Sequence, residues 1–252
     1  MQPDLHKQLL TVRRGGRTFK QRYYVADKAV IHTSRVAPSS RVDVSYGMLW
    51  AKDANTGIGH ALHAIDSMHK VPHDLERIPV KVRHIFRPGV GGSYFEGTGK
   101  QKPYIIIAKG HGTAAGDLAH EYGHFLDHKL FGSSRSFGSW DGLRSNQHEL
   151  HKLMTTLYRS KGARIIVKQY TIDQKNKDYA QLAFGRYLLS PHEMFARSYA
   201  QWTASKSPHV RKDVQHYHEV TKRNMYPAQW EPDDFAPIAR EFDRVFRNRG
   251  LR

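Results

Sequence analysis

The run Tyr104-Ile105-Ile106-Ile107-Ala108, set between Pro103 and Gly110, is apolar and β-branched and is the clearest strand in the chain. It leads almost at once into a long helical pattern from about Thr113 to Phe131. There Leu118, Tyr122, Phe125 and Leu126 build one apolar face, and Gly132-Ser133-Ser134 ends the helix. Upstream, Ile78 to Phe86 alternates as a strand. Pro88 with Gly89, Gly91 and Gly92 then turns the chain toward Ser93-Tyr94-Phe95. Ile58, Leu62, Ile65 and Met68 recur at helical spacing before these strands. The chain therefore reads as α+β, with a small mixed β-sheet packed on a long helix.

The flanking regions differ in character. From Leu9 to Val25 two β-prone runs flank Gly15-Gly16, a pair that supports the positive φ of a tight hairpin. Arg35 to Arg41, with Pro38-Ser39-Ser40, reads as a loop. Ser133 to Gly142 is rich in Ser and Gly and reads as a flexible loop, and a helix is expected over Gln147 to Tyr158. Ile165-Ile166-Val167 fits a short strand or part of a buried helix. Ala180 to Trp202 reads as two helices broken at Ser190-Pro191, with Ser190 as cap and Pro191 in the first turn. Phe235, Ile238, Phe242, Val245 and Phe246 make a last amphipathic helix after Pro232, completing a C-terminal helical subdomain. The expected division is 1–50, a basic β-hairpin region, and 51–252, one main unit.

Composition narrows the classes. The 252 residues suffice for a sizeable core, and although the mean hydropathy is only -0.66, 13 Tyr, 11 Phe and 4 Trp supply large apolar surfaces. With no cysteine, disulfides and thiolate ligands are excluded, which leaves histidine and carboxylate for any metal. No apolar run is long enough to span a bilayer, and Met1-Gln2-Pro3-Asp4-Leu5-His6 lacks the layout of a signal peptide, so the expectation is a protein with no membrane partner. A net charge of +17 favours nucleic acid or acidic proteins as partners. The densest cations, Arg13-Arg14-Gly15-Gly16-Arg17 with Lys20 and Arg22, lie beside Phe19, Tyr23 and Tyr24, the mixture used by nucleic-acid surfaces and also by plain solvated hairpins.

The long helix carries His120-Glu121-Tyr122-Gly123-His124. Residues four apart share a helix face, so both imidazoles can reach one ion. Glu121 stands to the side of the pair, placed to take a proton from a water attacking a peptide carbonyl and to pass it to the leaving amine. A catalytic zinc ion takes a third protein ligand. The segment Ser190-Pro191-His192-Glu193-Met194-Phe195-Ala196 offers Glu193 in the first turn of a capped helix, with His192 as the rival.

His120-Glu121-Tyr122-Gly123-His124-Phe125-Leu126-Asp127 followed by Glu193-Met194-Phe195-Ala196 resembles the catalytic domain of anthrax lethal factor and the related phage-borne and mobile-element metallopeptidase domains. That family pairs a His-Glu-x-Gly-His-x-x-Asp helix with a distant Glu-x-x-Ala helix. The resemblance covers roughly 78–202. It implies a zincin-like metallopeptidase in which His120, His124 and Glu193 bind Zn2+ and Glu121 is the catalytic base. It also implies a tyrosine before the ligand glutamate that stabilises the developing oxyanion. Tyr187 is the candidate, with Tyr179 and Tyr199 as competitors.

Asp127 is expected to accept from a ligand histidine or to pair with Arg197. His111 and His128 read as exposed or capping. His148-Glu149-Leu150-His151 and His216-Tyr217-His218 lack the spacing or the base of a second metal site. By analogy with zincins, the strand Tyr104 to Lys109 would pair with the backbone of a protein or peptide substrate. The resemblance adds a second function class, a virion or mobile-element component in which such a domain serves assembly or delivery alongside other virion components. The compartments it implies are cytoplasm or virion.

Overall fold

The computed structural model describes residues 5–14, 17–26, 32–34, 42–46, 52–72, 74–83, 91–97, 101–108, 112–133, 136–223 and 225–252, with side chains from residue 57 onward. Strands β1 (Leu5–Arg14) and β2 (Arg17–Ala26) form an antiparallel hairpin with Arg14 opposite Arg17, so two residues join them. The loop expected at 35–41 lies outside the described residues.

A five-stranded mixed sheet carries the rest of the β structure: β3 (His32–Ser34), β4 (Val42–Tyr46), β5 (Ile78–Arg83), β6 (Gly92–Phe95) and β7 (Tyr104–Ala108). In space the order is β3-β4-β5-β7-β6. β4, β5 and β7 run parallel, and a parallel pair needs a crossover, which α1 (Lys52–Met68) supplies between β4 and β5. β6 folds back antiparallel onto β7, pairing Gly92 with Ile107 and Phe95 with Tyr104, and ends the sheet on that side. Of the alternation expected at 78–86, the part over 78–83 is seen as buried Ile78, Val80 and Val82, joined by Ile105 and Ile107 of β7; residues 84–86 lie outside the described residues. Ile58, Leu62, Ile65 and Met68 of α1 belong to the same core.

The long helix α2 (Ala114–Lys129) follows β7 and buries Leu118, Tyr122, Phe125 and Leu126 completely. Its first turn is capped from a distance, since Asp213 Oδ2 accepts from the backbone N–H groups of Ala115 and Gly116 at 3.1 and 3.0 Å. Helices α3 (Gly138–Arg144), α4 (His151–Arg159), α5 (Lys161–Asn176), α6 (Tyr179–Leu188) and α7 (Pro191–Thr203) come next. After a 3-10 turn at Ala204–Lys206, α8 (Pro208–Arg223) and α9 (Pro232–Asn248) complete the chain. The fold is mixed α and β and mostly helical.

Three local readings change. The Ser/Gly-rich stretch to Gly142 contains α3, because buried Asp127 accepts from Ser139 N at 2.7 Å and from Ser139 Oγ at 2.6 Å and so caps it. Ile165-Ile166-Val167 is helical, yet only Ile166 is buried; α5 starts where Ser160 Oγ accepts from Ala163 N and Asp234 accepts from Lys161 N and Gly162 N. Ser190 stands at the N-cap of α7 with Pro191 after it, but its hydroxyl donates to Tyr187 O at 2.8 Å and not into the helix. Among the described residues no helix is long and apolar enough to cross a membrane.

Candidate metal centre

Helices α2 and α7 cross at two small residues. A Cβ placed on Gly123 would lie 2.9 Å from Ala196 Cα and 3.2 Å from Ala196 O, so the contact requires glycine. The crossing sets the first turn of α7 over the histidine face of α2. His124 Nε2 lies 3.1 Å from Glu193 Oε1, His120 Nε2 lies 3.3 Å from Glu193 Oε2, and the two Nε2 atoms are 3.2 Å apart. One donor atom from each residue lies within 4.8 Å of the others, and among the described residues no other group of three does so.

These donors fit a divalent cation. Glu193 Oε2 is buried and accepts no aligned hydrogen bond, so one lone pair is committed to nothing in the protein. Burial pushes the Glu193 carboxyl up, but His124 and His120 outweigh it and hold it well below the usual range. Two imidazoles and an ionised carboxylate converging on one point, with His120 partly exposed, match the ligand number of a hydrolytic metal site.

Glu121 is 7% exposed and lies on the side of α2 facing β6. A Cβ on Gly92 would approach its Cγ to 2.8 Å, so the glycine start of β6 makes room for this side chain. Burial raises the Glu121 carboxyl to about 8; Glu193 and Asp117 add to the rise, whereas His124 and the Tyr94 N–H oppose it. A carboxyl poised near neutrality suits proton transfer in both directions.

Tyr187, at the C-terminal end of α6, meets Glu193. Its phenol is held well above the ordinary value by burial first and then by the nearby Glu193 charge. The hydroxyl therefore stays protonated and able to donate, while 43% of the residue remains exposed on the outer side. The competitors lie elsewhere. Tyr179 is 75% exposed at the far end of α6, and Tyr199 is fully buried with its hydroxyl 2.7 Å from His69 Nε2.

Arg197, one turn beyond Glu193, is 1% exposed. Its guanidinium donates to the carbonyls of Leu188 and Ala228 and lies 5.3 Å from the Trp230 ring. It thus ties the turn that carries Tyr187 to the segment before α9, and places a positive charge behind Glu193. The expected Asp127–Arg197 pair is not formed, because Asp127 faces α3 and is taken by Ser139. Burial raises the Asp127 carboxyl to about 7, against the two hydrogen bonds from Ser139.

Other expectations are corrected by partners that sequence spacing does not show. β7 pairs with β5 on one side and β6 on the other, so among the described residues the unpaired edge beside α2 belongs to β6 and not to Tyr104–Ala108; Lys109 lies outside the described residues. His128 is half-buried and bonded to the Tyr94 hydroxyl at 2.8 Å, so it neither caps nor stands free; His111 lies outside the described residues. His192 is not part of the donor group; its ring lies between those of Phe137, at 5.4 Å, and His124, at 5.6 Å. His148 and His151 bond the carbonyls of Phe131 and Gly142. Tyr94 was not singled out by the sequence beyond its place in Ser93-Tyr94-Phe95. It contributes its N–H to Glu121, and its ring lies near His124.

Compared with protein-family models, curated proteins and solved structures, the chain gives no match.

Proposed function

We propose that this chain is a zinc-dependent endopeptidase. The observation that carries the reading is the convergence of His120, His124 and Glu193 with Glu121 alongside. A bound Zn2+ would supply Lewis acidity toward a peptide carbonyl and toward an attacking water.

The chain's own residues divide the remaining work. Glu121, buried near neutrality and steadied by the Tyr94 N–H, takes the proton of the attacking water and delivers it to the leaving amine. Tyr187 donates its phenolic hydrogen to the oxygen on which charge develops. The free edge of β6, next to Glu121, offers backbone groups to an extended substrate. The strand order supports the zincin-like assignment: three parallel strands end in an antiparallel edge strand, and the helix bearing both histidines follows directly.

The test is Glu121→Gln. Cleavage of a protein library should vanish while bound zinc persists, and chelation should abolish cleavage by the unsubstituted protein. Unchanged cleavage by the variant would remove Glu121 from the chemistry.

A further inference from the structure

Helices α5 and α6 form a hairpin whose outer surface is unusual in what it leaves exposed. On α5, Lys161, Arg164, Lys168 and Lys175 are exposed; Lys177 stands in the turn and Arg186 on α6. None of these six is in a salt bridge with another described residue. The two acidic residues between Lys161 and Arg186 are already engaged. Asp173 is buried and accepts from Tyr226 Oη and from Gln169 Nε2, and Asp178 caps α6 by accepting from Gln181 N at 3.2 Å. Their donors are neutral, so both carboxylates keep their charge, and the hairpin's six cations against two anions leave it net positive by four.

The cations do not stand alone. At the helical period, Lys161, Arg164, Lys168 and Lys175 form one ridge along α5, and Ile165 and Ile172 form the ridge next to it. Each isoleucine is 41% exposed, and Val167 on the other flank is 49% exposed. Three β-branched apolar side chains on one helix thus keep over two-fifths of their surface exposed among the described residues. On α6, Tyr179, Ala183, Arg186 and Tyr187 make an exposed stripe, and its last member stands at the turn into α7, the helix that carries Glu193. The surface is thus continuous with the metal centre.

We infer that the α5–α6 hairpin is a docking surface for an acidic protein segment that also carries apolar side chains, and that it delivers such substrates to the centre. The inference rests on the peptidase reading for the second half of that statement. Charge complementarity selects an anionic partner. The isoleucine ridge favours polypeptide over nucleic acid: bases stack on planar rings, whereas the side chains flanking the α5 cations are aliphatic and the exposed rings Tyr179 and Tyr187 stand on α6. A bilayer fits less well, since interfacial helices bury a broad apolar face and here the cations occupy the centre of the exposed one.

The experiment uses the full chain carrying Glu121→Gln, so that binding is read without turnover. The probes are a synthetic peptide of glutamates interspersed with leucines, a short DNA duplex, and vesicles containing phosphatidylserine. Arg164→Glu/Lys168→Glu/Lys175→Glu should weaken peptide binding by about tenfold or more. Ile165→Ser/Ile172→Ser should also weaken it, with zinc content unchanged in both variants. Peptide binding unaffected by the charge reversal would overturn the proposal, as would a reversal that weakens only DNA or vesicle binding. In otherwise active protein, neither set of substitutions should alter cleavage of a short uncharged peptide. If the acidic peptide binds but nothing is cleaved, the peptidase reading fails alone; if cleavage persists without acidic-peptide binding, the docking surface fails alone.

Discussion

Ala196 Cα stands 2.9 Å from the point where a side chain on Gly123 would begin, and this single crossing brings α7 close enough for Glu193 to meet His120 and His124. The glycine of the histidine helix and the alanine of the glutamate helix are thus two halves of one packing contact. Neither touches the metal donors' converging atoms.

Gly123→Ala should therefore damage the centre indirectly. The opposing atoms are backbone, which cannot rotate away, so the helices must separate. Stability should fall by about 1–3 kcal/mol in denaturant unfolding. Zinc affinity should fall as well, although every ligand is still present. A variant that unfolds more easily but binds zinc as tightly as before would show that the crossing does not set the ligand geometry.

Tyr187→Phe removes one hydroxyl while leaving a ring that is already partly exposed. With the phenol acting on developing charge, kcat should drop by about 10²–10³ with little change in KM. Zinc content should be unchanged. A rise in KM at constant kcat would assign Tyr187 to substrate binding.

His69 sets a stability limit on the acid side. Its Nδ1 lies 2.8 Å from the Lys70 carbonyl, which can only accept, so Nδ1 carries the proton and Nε2 accepts from Tyr199 Oη. The ring stacks on Phe246 at 4.1 Å. Burial, opposed by the Lys70 carbonyl and aided by Arg252, lowers its pKa to about 4. A group whose folded pKa lies below its unfolded value contributes stability that is complete above pH 6.5 and lost as pH falls through about 4. The loss should reach about 3 kcal/mol, at about 1.4 kcal/mol per pKa unit. Unfolding measured at neutral pH and near pH 4.5 should show it, and His69→Gln should show a smaller dependence. Equal pH dependence in the two proteins would exclude His69 as its source.

Much of the centre was legible because its parts are local. Two histidines four apart on a strongly patterned helix, and a glutamate just after Ser-Pro, announce themselves in short stretches. What escaped was decided by distant partners. α3 exists where a loop was expected because Asp127 caps it from another helix. α8 has no legible apolar pattern: only Val210, Val214 and Thr221 are buried among its polar residues. Analogy with zincins points to the strand just ahead of the histidine helix, β7, as the substrate edge, yet the fold-back of β6 covers it. Apolarity marked burial in the sheet, which is the opposite of an open edge.

The most direct test is the metal content of the purified chain. Elemental analysis should find one zinc per chain in the unsubstituted protein, and His124→Ala and Glu193→Ala should each lose it while remaining folded by circular dichroism. A protein that holds no zinc when supplied with it, or a Glu193→Ala variant that retains zinc in full, would contradict the three-ligand centre on which the enzymatic reading stands.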